Sequence, residues 1–232
     1  MLDLHGFGHL LFQGTLVTIE LSLAALVCGL AFGLAGAAMK LSGLWPLRLM
    51  AGVYTAVIRG VPELLVILFI YYGGVILLNN FAHSLGYVGY INVNAFTAGV
   101  TALSLTFGAY ATEVFRGAFA AVPANQIEAA RAIGMRPATI FRRIQLPQVW
   151  RFALPGLGNI FLIIVKETAL VSVIGLDELM RKADLAVGDT KKPFTFYLFA
   201  ACIYLGLTAM TMLLQRGLER RANRGVAGRA AA

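Results

Sequence analysis

The sequence predicts an all-α, polytopic membrane protein with five transmembrane helices, and its composition and its apolar windows lead to that prediction. Hydrophobic residues make up 59% of the 232 residues and charged residues 13%, and the mean hydropathy is +0.79. Water-soluble domains contain about a quarter charged residues, so the composition indicates a chain embedded in lipid. A transmembrane helix needs about 20 mostly apolar residues. Five windows meet that need: 13–39, 61–78, 95–119, 152–175 and 194–214.

The first two windows contain features that refine this prediction. Window 13–39 lacks a basic start and an A-x-A-like cleavage site, so we expect a retained helix rather than a signal peptide. It has a small residue at every fourth position, which predicts close approach of another helix: Gly29, Gly33 and Ala37. Before the second window, Gly60 and Pro62 predict a break between a short interfacial helix over 48–58 and a span that begins at Pro62.

The distribution of basic residues predicts the orientation. The formal net charge is +8, and lysines and arginines concentrate after the first span, around the segment 120–150 and in the tail 216–232. The segment before the first span and the loop 79–94 contain none. Basic residues stay on the cytoplasmic side, so we expect a periplasmic N-terminus and a cytoplasmic C-terminus with a disordered basic tail. Because topology accounts for the charge, nucleic-acid binding is not indicated.

No pattern of catalytic or metal-binding residues is present. The sequence lacks the phosphate loop G-x-x-x-x-G-K-[ST] and the motifs HExxH, CxxC and GxSxG. His5, His9 and His83 do not have metal-ligand spacing, and Cys28 and Cys202 fall inside spans, where we expect buried apolar thiols. We therefore expect no catalytic residue, no metal and no cofactor.

The most polar stretch of the chain, "EAARAIGMRPATIFRRIQLPQ" over 128–148, predicts a helix–turn–helix at the membrane surface. Residues 124–133 have helical composition, and Gly134 suits a left-handed helix end. Pro137 suits the first turn of a second helix, and we expect Pro147 to end it. From physics alone, this segment could be an ordinary amphipathic loop between two spans.

The same stretch resembles the EAA signature of binding-protein-dependent ABC importer permeases. The matching positions agree in residue type and spacing without gaps: Glu128, Ala129, Ala130, Gly134, Ile144, Leu146 and Pro147. The stretches "GTLVTIELSLA", "IRGVPELLVILFIYYGG", "GAYATEVFRGAFAAVP" and "KETALVSVIGL" resemble the polar amino acid subgroup. More narrowly, they are similar to the permease subunits for histidine, lysine, arginine and ornithine and to their opine relatives.

This resemblance covers nearly the whole chain and implies one transmembrane domain over 1–232 with a type I ABC importer permease fold. It implies a bacterial inner-membrane subunit that imports a polar, in particular basic, amino acid or an opine. The EAA loop would be a coupling helix that docks on a separate ATPase. The implied partners are two cytoplasmic ATPase subunits, a second permease chain (a sister subunit or a second copy), a periplasmic substrate-binding protein and the lipid bilayer.

Charged residues inside spans are costly and are therefore functional candidates. Arg59 and Glu63 are four residues apart, and Glu113 and Arg116 are three apart, so each pair could form an ion pair on one helix face. We favour that structural role over a substrate role, because both pairs match positions typical of the whole subgroup whatever its substrate.

Lys166 and Glu167 are adjacent, so they point in different directions on a helix and cannot simply pair with each other. A local unwinding is expected there, beside Thr168 and Ser172. These four residues could bond to other helices or line the substrate pathway.

Glu20 lies near the outer end of the first span. Its carboxylate could meet an ammonium or guanidinium group at the outer mouth. It could equally accept a hydrogen bond from a hydroxyl such as that of Thr18, or from a partner helix.

Two other functions remain as alternatives to the importer. An ion-driven secondary transporter working alone should show inverted repeats and its own ion site, and neither is visible. A membrane anchor for an enzyme complex would not need the EAA spacing.

Overall fold

The computed structural model describes residues 6–224, and these residues are helical except for short loops. The α-helices are α1 Gly8–Leu41, α2 Trp45–Gly60, α3 Glu63–Leu68, α4 Gly74–Ser84, α5 Ala95–Ala120, α6 Ala124–Ala132, α7 Pro137–Ile140, α8 Leu146–Glu167, α9 Leu179–Thr190 and α10 Pro193–Ala222. Single π-helical turns, Phe69–Gly73 and Phe141–Gln145, join α3 to α4 and α7 to α8, and a 3-10 helix, Thr168–Ile174, continues α8. The predicted all-α class is confirmed for these residues.

The centre of the fold is the parallel pair of α1 and α5. A Cβ atom placed on Gly29 would lie 2.8 Å from the Cβ of Phe107, and one on Gly33 would lie 2.6 Å from the Cβ of Ala111. These distances are too short for real Cβ contacts, so the two backbones approach as closely as they do because glycine has no side chain. The predicted small-residue face of the first span therefore packs against α5.

The other long helices run antiparallel to their neighbours. Gly156 of α8 packs against Val114, whereas Val171, further along, packs against Gly99. Gly158 of α8 contacts Gln215 of α10. The C-terminal ends of α1, α5 and α10 and the N-terminal end of α8 therefore lie at one end of the bundle. The segment 120–150 lies at that same end.

Four helical stretches of the described chain are long and apolar enough to cross a membrane: Gly8–Leu41, Glu63–Ser84, Pro137–Ile174 and Pro193–Ala222. The expected span over 95–119 forms α5 but is not among them, so the prediction of five spans is corrected to four by this measure. The physical reason is the share of hydroxyl and small residues in α5, such as the buried Ser104, Thr106 and Thr112. Half of α5 is buried against other helices, 13 of its 26 residues, so these positions need not be apolar.

Breaks in the helices agree only in part with the sequence. Val61 and Pro62 are extended and separate α2 from α3, as Gly60 and Pro62 predicted. The prediction that Pro147 ends a helix is wrong, because Pro147 lies in the first turn of α8. The preceding turn, Phe141–Gln145, is a π-helical turn. A wider turn of this kind accommodates an irregularity without ending the helix.

Two further expectations need correction. The tail was predicted to be disordered from residue 216, yet α10 continues to Ala222, because extending a formed helix costs far less than starting one. The part of the tail beyond Arg224 lies outside the described residues. Cys28 and Cys202 were expected to be buried, but both are exposed on helix surfaces. In a membrane protein an apolar thiol can face lipid rather than the core.

Candidate functional sites

The segment 124–148 forms the predicted helix–turn–helix. Gly134 has φ +78°, in the left-handed region that residues with a Cβ disfavour. Its N–H donates to the carbonyl of Arg131 at 2.9 Å, and the N–H of Met135 donates to the carbonyl of Ala130 at 3.1 Å. These bonds close the C-terminal end of α6, and Pro137 then starts α7.

A surface cavity of about 530 Å³ lies between α6 and the start of α8. Four of the seven predicted coupling residues line it: Ala129, Ala130, Ile144 and Pro147. The other three, Glu128, Gly134 and Leu146, are exposed outside its lining. Ile133, which also lines the cavity, is 79% exposed.

Three charged side chains from two helices form a cluster around Glu113. Arg116 Nε lies 2.8 Å from Glu113 Oε2, which is the predicted pair on one helix face. The third member, Lys40 of α1, was not predicted; its ammonium contacts Glu113 Oε1 and donates to Thr55 Oγ1 at 2.6 Å. The cluster therefore joins the ends of α1, α2 and α5. To predict the contact between Lys40 and Glu113, one would have to know that α1 and α5 are parallel neighbours.

The predicted ion pair between Arg59 and Glu63 is absent. The two residues lie on different helices, since Gly60 ends α2 and Glu63 starts α3, so the spacing of four residues no longer places them on one face. The Arg59 guanidinium instead lies over the Tyr110 ring, 5.1 Å from its centroid.

A small cavity of about 170 Å³ brings two carboxylates together between α3, α5 and α8. Glu63 and Glu167 line it, with Thr106 and Tyr110 of α5. Oε2 of Glu167 is buried and has no hydrogen-bond partner among the described residues. A buried carboxylate oxygen without a donor is costly, and it is the kind of group that a cationic ligand would satisfy.

Lys166, Thr168 and Ser172, which follow or precede Glu167 closely in the sequence, lie outside this cavity. The expected irregularity is present, because α8 ends at Glu167 and a 3-10 helix begins at Thr168. Thr168 Oγ1 donates to the carbonyl of Val165 at 2.8 Å, and Ser172 Oγ donates to that of Ala169 at 2.7 Å. Lys166 is exposed. These three predicted pathway residues do not line the carboxylate cavity.

Glu20 is exposed on α1, and the hydroxyl of Thr18 is not its partner. Thr18 Oγ1 donates instead to Glu178 Oε2 at 3.3 Å. This corrects the alternative in which Glu20 bonds to Thr18. The sequence pattern gave no signal for Glu178, which lies in the loop between the 3-10 helix and α9.

Glu178 is fully buried and connects three helices. As N-cap of α9 it accepts hydrogen bonds from the backbone N–H groups of Met180 and Arg181, both at 2.9 Å. Tyr204 of α10 donates to the same carboxylate at 2.9 Å. Burial raises the pKa of the Glu178 carboxyl, although the donated hydrogen bonds favour its ionised form.

Within residues 6–224, no group of three or more histidine, cysteine, aspartate or glutamate residues is arranged to hold a metal ion. The sites are thus an exposed helix–turn–helix, a charge cluster, a carboxylate cavity and a buried cap. Each can bind or position a group, and none contains a nucleophile paired with a base.

Comparison with known proteins agrees with this arrangement. A family model described as the inner membrane component of binding-protein-dependent transport systems matches residues 26–224. The chain is 48% identical over 222 residues to the nopaline transport system permease protein of Agrobacterium fabrum, covering 95% of this chain and 94% of that protein. It is 44% identical over 223 residues to the histidine/lysine/arginine/ornithine transport system permease protein of Escherichia coli K12, covering 96% and 97%.

Among solved structures, an amino acid ABC transporter described with histidines matches with a TM-score of 0.78 and 39% identity, covering 91% of this chain and 94% of that chain. The fold is that of a type I ABC importer permease. The chain belongs to the family of binding-protein-dependent transport system inner membrane components. It is therefore a transport permease and not an enzyme.

Proposed function

We propose that this chain is the permease subunit of an ATP-driven importer for a basic amino acid or an opine, with Glu167 and Glu63 on the substrate pathway. The observation that supports this most directly is the carboxylate cavity between α3, α5 and α8. An unpaired ammonium or guanidinium ion in a low-dielectric region is costly, and a carboxylate without a hydrogen-bond partner offsets that cost. The relatives named for nopaline and for histidine, lysine, arginine and ornithine fit this choice.

The role of the other predicted pathway residues follows from their contacts. The hydroxyls of Thr168 and Ser172 already bond to backbone carbonyls, which favours the helix-bonding alternative for them. Lys166 is exposed and does not line the cavity. Glu20, exposed on α1, stays a second candidate at the outer mouth.

For coupling, we propose that α6 and the turn at Gly134 dock on a cytoplasmic ATPase. The chain has no phosphate loop, so force from ATP must come through a protein contact. The exposed residues Glu128 and Ile133 and the adjoining cavity of about 530 Å³ form a surface that a second protein could cover. The complete complex would contain two ATPase subunits, a second permease chain and a periplasmic substrate-binding protein.

For topology, we propose that α5 is a fifth crossing, sheltered by α1 and α8, within one transmembrane domain. In that arrangement the N-terminus would lie in the periplasm and the C-terminus in the cytoplasm. The shared end of α1, α5 and α10 supports this orientation, because basic residues concentrate there. They include Lys40, Arg116, Arg131, Arg142, Arg143, Arg220 and Arg221.

The test is uptake into proteoliposomes. The chain assembled with its ATPase, its permease partner and its binding protein should accumulate radiolabelled arginine only when ATP is hydrolysed, and ADP in place of ATP is the matched control. The chain alone should neither hydrolyse ATP nor transport. Uptake by the chain alone, driven by a proton or sodium gradient, would replace the importer with a secondary transporter.

A further inference from the structure

Arg59 lies at a break in the chain that leaves its charge available. It belongs to the last turn of α2, and Val61 and Pro62 turn the backbone away before α3 begins. The side chain is exposed, and its guanidinium lies over the Tyr110 ring at 5.1 Å from the centroid. No carboxylate of residues 6–224 lies within ion-pair distance of Arg59.

A pocket of about 460 Å³ opens beside this guanidinium. Its charged lining residues are both cations, Lys40 and Arg59, and its polar neighbours are Thr55 and Tyr110. Lys40 is already engaged by the Glu113 carboxylate and the Thr55 hydroxyl. Arg59 is therefore the cation of this pocket that can accept a new anionic partner.

The carboxylate cavity adjoins this pocket. Tyr110 lines both, the pocket with Lys40 and Arg59 and the cavity with Glu63 and Glu167. The Tyr110 hydroxyl makes no hydrogen bond within the described part of the chain. Two compartments of opposite charge thus meet at one aromatic side chain.

This arrangement matches the charge distribution of a basic amino acid. Such a molecule has an α-carboxylate and an α-ammonium at one end and a second ammonium or a guanidinium at the other, separated by an aliphatic chain. A planar guanidinium binds a carboxylate through two parallel hydrogen bonds. We propose that Arg59 binds the substrate's carboxylate while Glu167, with Glu63, binds its cationic side chain, and that Tyr110 lies between the two ends. The inference rests on the proposed transport of a basic amino acid or opine.

The two compartments lie at different levels along α5, which orients the bound substrate along the helix. The carboxylate cavity is at the level of Thr106 and Tyr110, and the cationic pocket extends toward Lys40 and its partner Glu113, nearer the C-terminal end of α5. In the proposed orientation that end faces the cytoplasm. The carboxylate of the substrate would therefore point toward the exit.

The experiment compares arginine with agmatine, which is arginine without its carboxyl group. Binding of each is measured on the purified complex of permease and ATPase subunits in nanodiscs, without the binding protein, so that the binding protein does not select the ligand. We expect the wild type to bind arginine about tenfold or more tightly than agmatine, because a hydrogen-bonded charge pair is lost with the carboxylate.

Three variants separate the two ends of the site. Arg59→Gln should weaken arginine binding to the level of agmatine and leave agmatine unchanged, whereas Glu167→Gln should weaken both ligands alike. Arg59→Lys should keep part of the preference for arginine, since it keeps the charge and loses the two-bond geometry. Arg48→Gln, on the same helix but outside both linings, is the matched control.

Two results would overturn the inference while leaving the importer intact. The first is a wild type that binds arginine and agmatine equally well. The second is Arg59→Gln protein that keeps the wild-type preference. A complex that neither binds arginine nor transports any amino acid with its partners would contradict the proposed function itself.

Discussion

The hydroxyl of Tyr204 in α10 donates a 2.9 Å hydrogen bond to Oε2 of Glu178, the N-cap of α9. The same oxygen accepts from Thr18 of α1. Glu178 is fully buried, so this carboxylate joins three helices at the end of the bundle opposite the segment 120–150. Removing any donor would leave a buried acceptor less satisfied.

Tyr204→Phe is expected to destabilise the complex by about 1–3 kcal/mol, the cost of leaving a buried charged acceptor without one donor. Thermal unfolding of the purified complex in detergent measures the change. Tyr72→Phe is the matched control, because Tyr72 is 59% exposed and its hydroxyl makes no hydrogen bond within residues 6–224. Equal midpoints for Tyr204→Phe and wild type would show that the bond does not contribute.

The pH dependence of stability should also report on Glu178. Burial raises its pKa above the ordinary 4.5, so between these two values the folded state binds more protons than the unfolded state. Stability therefore decreases as pH rises through this window, and the contribution is fully present below it. Glu178→Gln cannot ionise and should remove this part of the pH profile.

The measurement is the unfolding midpoint of the complex at a series of pH values from 4 upward. Glu128→Gln, which neutralises an exposed carboxylate of α6, should retain the wild-type profile. If Glu178→Gln and wild type have parallel profiles across the window, another group controls the pH dependence.

Local features of this fold could be predicted, and long-range ones could not. The helix break at Gly60 and Pro62, the turn at Gly134 and the irregularity after Glu167 depend on neighbouring residues, and the sequence predicted all three. The contacts of Lys40 with Glu113 and of Thr18 with Glu178 join residues far apart in the chain. They depend on which helices are neighbours and in which direction they run, which periodicity within one helix does not reveal.

Some local rules also failed for a physical reason. Pro147 was predicted to end a helix, but a π-helical turn before it lets the helix continue. α5 is less apolar than the four candidate spans because half of it is buried against other helices, where threonine can bond to backbone carbonyls, as Thr112 does to Gly108 at 2.7 Å.

Close packing of α1 on α5 should make Gly33 intolerant of a side chain. A methyl group there would lie 2.6 Å from the Cβ of Ala111, so the helices must separate. We expect Gly33→Ala to cost about 1–3 kcal/mol of stability. Gly206→Ala in α10, where a Cβ would meet no atom within 4 Å, is the control. Thermal unfolding of both variants tests the prediction, and equal stability would contradict it.

Gly134→Val should weaken docking of the ATPase while membrane insertion stays normal. The turn has φ +78°, which costs a residue with a Cβ about 1 kcal/mol or more, and a β-branched residue is the least tolerant. Co-purification of the ATPase with tagged permease measures docking. Gly217→Val, at an exposed helical glycine with open space around it, should co-purify normally. Wild-type levels of ATPase and normal uptake for Gly134→Val would rule out this role of the turn.

The last prediction distinguishes two intramembrane carboxylates, Glu167 and Glu20, by substrate charge. Glu167 lines a cavity and has an oxygen without a hydrogen-bond donor, whereas Glu20 is exposed on α1. Glu167→Gln should therefore reduce uptake of arginine or ornithine about tenfold or more, and uptake of a neutral analogue much less, since only the cation loses a compensating charge.

Glu20→Gln is the companion variant, and it should have the smaller effect on basic substrates. Both complexes are assayed in proteoliposomes with a binding protein that accepts basic and neutral substrates, and stimulated ATPase activity shows that assembly is intact. An equal loss for both substrates in Glu167→Gln would mean that this carboxylate is structural. A larger selective loss in Glu20→Gln would move the cation site from the cavity between α3, α5 and α8 to the outer end of α1.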